Sequence, residues 1–235
     1  MTLAPTTHVW RYMSFAKLVW TLQKKQLWLS SAELLDDKWE VMLDIQQLNS
    51  IINNRPASLS ADEIIDRTAR LVKARRKQTF INCWSASEHE SHALWRIFCP
   101  SSESVAIQTT LERLKKSVGG LPVLEVSYGP HETKGELPDI NKLVTQKRPM
   151  FAYEQEVRIV LVSDFSNREH PDRITLGAGI DWDPELHIET IWVHPEAPFW
   201  FMEAVTETVR KLAPKLSERG HPLVAWSKMN SSPPF

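Results

Sequence analysis

The segment Lys147–Val162, KRPMFAYEQEVRIVLV, constrains this chain more than any other stretch. From Tyr153 onward it alternates, with Tyr153, Val157, Ile159 and Leu161 on one side and Glu154, Glu156 and Arg158 on the other. A period of two, rich in β-branched residues and free of Gly and Pro after Pro149, predicts a half-buried strand. Its wetter side then carries two carboxylates and a guanidinium. Lys147 and Arg148 add two cations just before Pro149, which pushes its predecessor toward an extended or turning backbone. A row of acids beside a cationic corner can hold and polarise a sugar-phosphate ligand. The same residues also make an ordinary solvated strand face, where such charges are worth little.

Short strand and helix patterns alternate through the rest of the chain. His8–Met13 reads as a first strand, Ser14 as the cap of a helix with the stripe Phe15, Leu18, Val19 and Leu22, and Leu27–Ser30 as a second strand. The acidic stretch Glu33–Glu40, with Asp36 and Asp37, is a loop or a helix start. Trp39–Lys77 is predicted helical in two pieces, broken near Asn53–Pro56, with Ser60 and Glu63 as the capping box of the second. Thr79–Trp84, Val105–Thr109, Leu124–Tyr128, Arg173–Ile180, Glu189–His194 and Leu223–Trp226 read as further strands. Ser87 with Glu90, Thr109 with Glu112, and Pro198 open the remaining helices. Gly129–Ile140 reads as a polar loop. The fold class is α+β, a mixed or mainly antiparallel sheet flanked by helices. At 235 residues it is predicted to be one domain, with a helical insertion over 39–78 and a flexible tail over 228–235.

Composition excludes more than it assigns. A hydrophobic fraction of 42% is ample for a core, and ten tryptophans against seven glycines favour bulky anchors over loose loops. A net charge of −1 exerts no global pull on nucleic acid. Two cysteines, Cys83 and Cys99, make no disulfide framework, which points to a reducing cytoplasm. The opening MTLAPTTHVW has no basic region followed by an apolar run, so no signal peptide is expected, and no apolar stretch is of membrane-spanning length. His89, His92 and the cysteines are irregularly spaced for a metal, and none is expected. There is no glycine-rich phosphate loop and no G-x-S-x-G elbow. Arg158 stands where a nuclease of the acidic type would want a lysine. The basic cluster Arg67, Arg70, Lys73, Arg75, Arg76 and Lys77 lacks the interleaved aromatics of a nucleic-acid stripe, and reads as a solvated, dipole-complementing helix end.

Several motifs together resemble a known family. They are Trp10-Arg11-Tyr12, Asn82–Ser85, Glu90-Ser91 with Leu94-Trp95, Val105–Ile107 with Thr109 and Thr110, Lys147-Arg148 with Phe151, Glu154, Glu156 and Arg158, and Ile191 with Val193, Pro195 and Ala197. In this order they look like the uncharacterised bacterial family called domain of unknown function 2971, over roughly Trp10–Ser227. The acidic turn departs from it, reading Asp36-Asp37-Lys38.

A looser resemblance is to the ADP-ribosyltransferase superfamily, whose members place an Arg or His on a first strand, a Ser or Tyr on a second and a Glu, often in E-x-E, on a later one. Arg11, Ser30 and Glu156 match, with Glu154 as the first acid of the pair, although Ser30 stands in LWLSSAE and not in a Ser-Thr-Ser triplet. The resemblance implies NAD as substrate, Glu156 and Glu154 as catalytic residues, and no metal. It implies ligand contacts from Arg11, Tyr12, Ser30, Trp84, Lys147, Arg148 and Arg158, and a toxin or phage-defence role in the cytoplasm. Two other readings stay open: a non-catalytic ligand- or protein-binding module on the same scaffold, and a nucleic-acid-acting effector using the Arg67–Lys77 cluster. No membrane partner is expected.

Overall fold

The computed structural model describes residues 3–43, 45–129, 139–163, 176–218 and 223–230. It divides into two compact units, one formed by Met1–Trp28, Cys83–Leu121 and Gly179–Phe235, the other by Leu29–Asn82 and Pro122–Ala178. The secondary structure is α+β, with mainly antiparallel strands and accompanying helices.

In the first unit β1 (His8–Ser14) lies antiparallel to β4 (Ser104–Thr110) over its whole length, from His8 opposite Thr110 to Ser14 opposite Ser104. On the other side of β4 lies β10 (Thr190–Val193), antiparallel to it. Beside β10 runs β11 (Val224–Trp226), in parallel. The second half of β3 (Thr79–Ala86) flanks β1 through Val9 opposite Ala86 and Trp10 opposite Ser85. Because side chains alternate across a strand, this register sorts the sheet into two faces. Val9, Met13, Val105, Ile107, Ile191 and Val193 share one face and are buried. Trp10, Tyr12, Ala106 and Trp192 share the other and pack with Trp95 and Cys99 at the buried side of α4 (His92–Phe98). Helix α1 (Phe15–Lys24) packs on α8 (Phe199–Leu212), with the rings of Phe15 and Phe201 edge to face at 5.3 Å. Lys24 meets the dipole end of α1, and Lys25 closes the helix in the left-handed region at φ 52°. Helix α5 (Leu111–Ser117) ends at Gly119 and Gly120, both at positive φ, where glycine carries no Cβ penalty.

In the second unit β2 (Gln26–Ser31) pairs the first half of β3 through Ser30 opposite Ile81 and Ser31 opposite Phe80. Strand β8 (Glu156–Val162) pairs both β3 and β5 (Val123–Glu125). The short strands β6 (Ser127–Tyr128) and β7 (Gln146–Lys147) run parallel. Helices α2 (Ile45–Asn53), α3 (Ala61–Gln78) and α6 (Ile140–Val144) complete the unit. The predicted break between the first two falls after Asn53, and α2 begins at Ile45, not Trp39.

The capping box of α3 is present in full: Ser60 Oγ accepts from the Glu63 N–H, and the Glu63 carboxylate accepts from the Ser60 N–H at 2.8 Å. Ser60→Ala should therefore cost about 1 kcal/mol in urea denaturation; an unchanged midpoint would mean that α3 is held by its packing alone. Thr68 and Val72 are the buried residues of α3, while Ile65 and Leu71 on the same helix are exposed.

Three other expectations need correction. The caps of α4 and α5 are Ser91 and Thr110, not Ser87 and Thr109, so Glu90 is no capping residue. The predicted strand from Leu124 to Tyr128 is broken at Val126 into β5 and β6. The strand predicted from Tyr153 begins only at Glu156, since Pro149–Glu154 forms a 3-10 turn. Of the predicted segments, 130–138 of the loop, 173–175 of the strand before β9 (Gly177–Asp181) and 231–235 of the tail lie outside the described residues.

Candidate functional site

The 3-10 turn is what builds the site. Pro149 at its first position suits a helical start, and the turn carries the chain back past Lys147 at the end of β7. Gln155 then takes a left-handed conformation (φ 45°), and Glu156 enters β8. The ammonium of Lys147 consequently donates to Glu154 Oε2 at 2.6 Å and to Glu156 Oε1 at 3.2 Å, and stands 3.4 Å from Glu40 Oε1.

Arg158, two residues along β8 and hence on the same side as Glu156, donates from Nε to Glu156 Oε2 at 2.6 Å. Its Nη1 reaches the Val144 carbonyl at 2.7 Å, and its Nη2 meets Glu40 Oε2. Glu40, Lys147, Glu154, Glu156 and Arg158 are all buried, Arg158 completely. The expected wet face of the strand is thus wrong: β8 is enclosed on both sides as far as Val160 because it has neighbours on both edges and cover on both faces. Burial converts a low-value surface pattern into a network whose members depend on each other.

Three carboxylates share two cations here, so one acid gains by holding a proton. Burial pushes the Glu154 carboxyl up to about 7, assisted by its hydrogen bond to Glu156 and opposed by Lys147. Burial alone would raise Glu156 as well. The charge of Arg158, the hydrogen bond from Glu154 and the charge of Lys147 outweigh it and hold Glu156 down to about 2. Burial would lower Lys147, but Glu156, Glu40 and Glu154 together hold it above its ordinary range. Tyr128, whose hydroxyl oxygen accepts the Glu156 N–H at 2.7 Å, is pushed up to about 12 by burial. Two neighbouring carboxyls with values driven apart are the pattern of an acid–base pair.

Lys147 also lines a pocket of about 370 Å³ within the second unit, together with Asp37, Trp39, Glu40, Gln146 and Arg148. Arg148 forks onto Asp37 with two bonds of 3.1 and 3.0 Å, and Asp37 Oδ1 also accepts the Trp39 N–H. Trp39 is 63% exposed at this pocket. Val41, next to Glu40, sits at φ 56° although it is β-branched, a genuine backbone outlier. Val41 and Gln155 place left-handed strain beside all three acids of the network, and such strain concentrates at functional sites.

Glu154, Glu156, Lys147 and Arg158 of the predicted residues are brought together, with Arg148 beside them. Ser30 lies half-buried on β2 of the same unit. Arg11, Tyr12 and Trp84 belong to the first unit. There Arg11 donates to the Cys83 carbonyl at 2.7 Å, and burial lowers its affinity for its proton. Tyr12 accepts the Ser91 N–H and meets Trp95 edge to face at 5.0 Å; Trp84 is buried against Trp182. Sequence reasoning missed Glu40, Asp37 and Gln146. The acidic turn was conspicuous, but nothing local tells which of its acids turns inward. Among the described residues no group of His, Cys, Asp and Glu is arranged to hold a metal, and no helix is long and apolar enough to cross a membrane.

No family model and no curated protein matches the chain, so the likeness to domain of unknown function 2971 rests on its motifs alone. Solved structures of DarT from Thermus sp. 2.9 are similar to it at low identity. The complex with NAD+ gives a TM-score of 0.44 at 11% identity, covering 98% of this chain and 100% of that one. The complex with carba-NAD+ gives 0.41 at 12% over 98% and 100%, and that with ADP-ribosylated ssDNA gives 0.40 at 13% over 99% of each. At these scores the site is read from its own residues.

Proposed function

We propose that the second unit carries an NAD-cleaving site of the ADP-ribosyltransferase kind, with Glu156 and Glu154 as its acids. The observation that carries this reading is the enclosed pair itself, one acid held ionised and its neighbour held near neutrality, gripped by a lysine that lines a pocket. When the bond from ribose C1′ to nicotinamide breaks, its electron pair leaves with the nicotinamide and positive charge develops on the ribose. Glu156, ionised throughout the physiological range, stabilises that charge more than it stabilises the ground state. Glu154, titrating close to working pH, accepts the proton of the attacking acceptor or water. Lys147 and Arg148 offer the cations for the pyrophosphate, and Trp39 a face for a ring. Ser30 and Arg158, which the sequence resemblance also assigns, lie on the same unit, whereas Arg11, Tyr12 and Trp84 belong to the first unit.

Purified protein supplied with millimolar NAD should release nicotinamide. Glu156→Gln should lower the rate about 100-fold or more. Circular dichroism reports whether that variant stays folded; if it does not, Glu154→Gln, which keeps the hydrogen bonds, should lose the rise in rate through pH 7. No release from the wild type sinks the reading.

A non-catalytic binding module is the rival, favoured by both oxygens of Glu156 being engaged by cations of the protein itself. Under that reading a ligand would bind without turnover, and binding would survive Glu156→Gln. The basic end of α3 carries less weight for nucleic acid, because Arg76 is partly enclosed and donates to the Ala32 carbonyl.

A further inference from the structure

The first unit holds a cavity of its own, of about 900 Å³, within the size range of small-molecule sites. Its floor follows from strand register. Trp10 lies opposite Gln108, and Gln108 opposite Thr190, while Trp192 follows two residues along β10 on the same face. Toward Ala106 this face is covered by Trp95 and Cys99; the end with Trp10, Gln108 and Thr190 opens into the cavity.

The two indoles there are fixed by their edges. Trp10 Nε1 donates to the Ser87 carbonyl at 2.7 Å, and Trp192 Nε1 donates to Gln108 Oε1 at 2.9 Å. Their ring centres are 5.8 Å apart and tilted by 41°. With the N–H groups pinned and Trp10 buried in the core, what the pair offers a visitor is the π-face of the partly exposed Trp192, and such faces attract cations.

One cation already sits there. Lys228 Nζ lies 5.4 Å from the centre of the Trp192 ring, and the Lys228 backbone N–H is tied to Glu90 Oε1 at 2.6 Å. Charge decides the kind of ligand. Glu88, Glu90 and Glu189 line the cavity against Arg113 and Lys228, and Arg113 is paired with Glu189 at 3.4 Å. The lining is therefore one negative charge in excess. A phosphate-bearing ligand would add to that excess, whereas an organic monocation would cancel it.

We propose that this cavity binds the cationic side chain of a lysine- or arginine-like ligand over the face of Trp192, which the buried Trp10 backs, with Lys228 as the chain's own stand-in at that position. The site is independent of the NAD reading and can stand or fall without it.

The test is a titration of ¹⁵N-labelled full-length protein with Nα-acetyl-lysine methylamide, following the indole N–H resonances of Trp10 and Trp192. Saturable shifts are expected, with binding roughly tenfold weaker for the Nε-acetylated, uncharged form of the same probe. Trp192→Leu should remove them, and Lys228→Ala should tighten binding severalfold by vacating the ring. n-Butylammonium separates the sources: weaker binding than the amide probe assigns a polypeptide side chain, equal binding a free amine. No shift, equal shifts from charged and uncharged probes, or shifts from adenosine monophosphate in their place would overturn the proposal. Should Trp192→Leu fail to fold, weaker binding by Lys228→Ala serves as the refutation.

Discussion

Replacing Arg158 with methionine should destabilise the protein by about 3–5 kcal/mol, the range for removing one partner of a buried ion pair. The side chain is completely enclosed and serves Glu156, Glu40 and the Val144 carbonyl together. Methionine fills much of the volume but leaves two carboxylates with Lys147 as their remaining cation. Urea denaturation at neutral pH measures the loss. The internal control is Arg96→Met, because Arg96 and its partner Glu196, 2.8 Å away, are both largely exposed; that change should cost at most about 1 kcal/mol. Equal losses from the two variants would show that enclosure contributes nothing to the network.

The second large effect concerns pH. Glu156, whose folded value of about 2 lies below the ordinary 4.5, lends stability that is present above pH 4.5 and lost as pH falls toward 2. Glu154 has the opposite sign. Its folded value of about 7 means that its contribution is complete below pH 4.5 and is lost as pH rises through 7. The pair is therefore most stabilising near pH 4.5 and loses roughly 1–3 kcal/mol on the alkaline side. Glutamine at position 154 mimics the protonated acid, accepting from Lys147 and donating to Glu156. Glu154→Gln should match the wild type near pH 4.5 and exceed it by that amount at about pH 8. Urea midpoints of the two proteins across this range provide the measurement, and groups common to both, such as His194, cancel in the difference. A constant difference would mean that Glu154 titrates as an ordinary carboxylate.

Much of this architecture was legible because strands and helices announce themselves by period. His8–Ser14, Leu111–Ser117, Phe199–Leu212 and the box at Ser60 and Glu63 need only neighbours within a turn or two to be placed. The errors lie where a local signal competes with a tertiary one. Glu90 has the spacing of a capping residue after Ser87. In the fold its carboxylate accepts from Trp95 Nε1, Ser227 Oγ and the Lys228 N–H, two of these from a segment more than a hundred residues away. Tyr153 and Glu154 continue the alternation of β8 in letter but not in space, since Pro149 winds the preceding residues into a 3-10 turn and Gln155 reverses the backbone.

The chain's order of residues by itself determined most element types, the α+β class and the placing of Glu156 on a strand, because those depend on side-chain period and backbone stereochemistry over a few residues. Only the tertiary structure decided that Glu154, Glu156 and Arg158 face inward, that Glu40 joins them from a turn more than a hundred residues earlier, and that burial pushes one of the acids up to about 7. The reason is dielectric. Whether a carboxylate is worth little or several kcal/mol depends on how much water remains around it, and that is set by strands and turns distant in sequence.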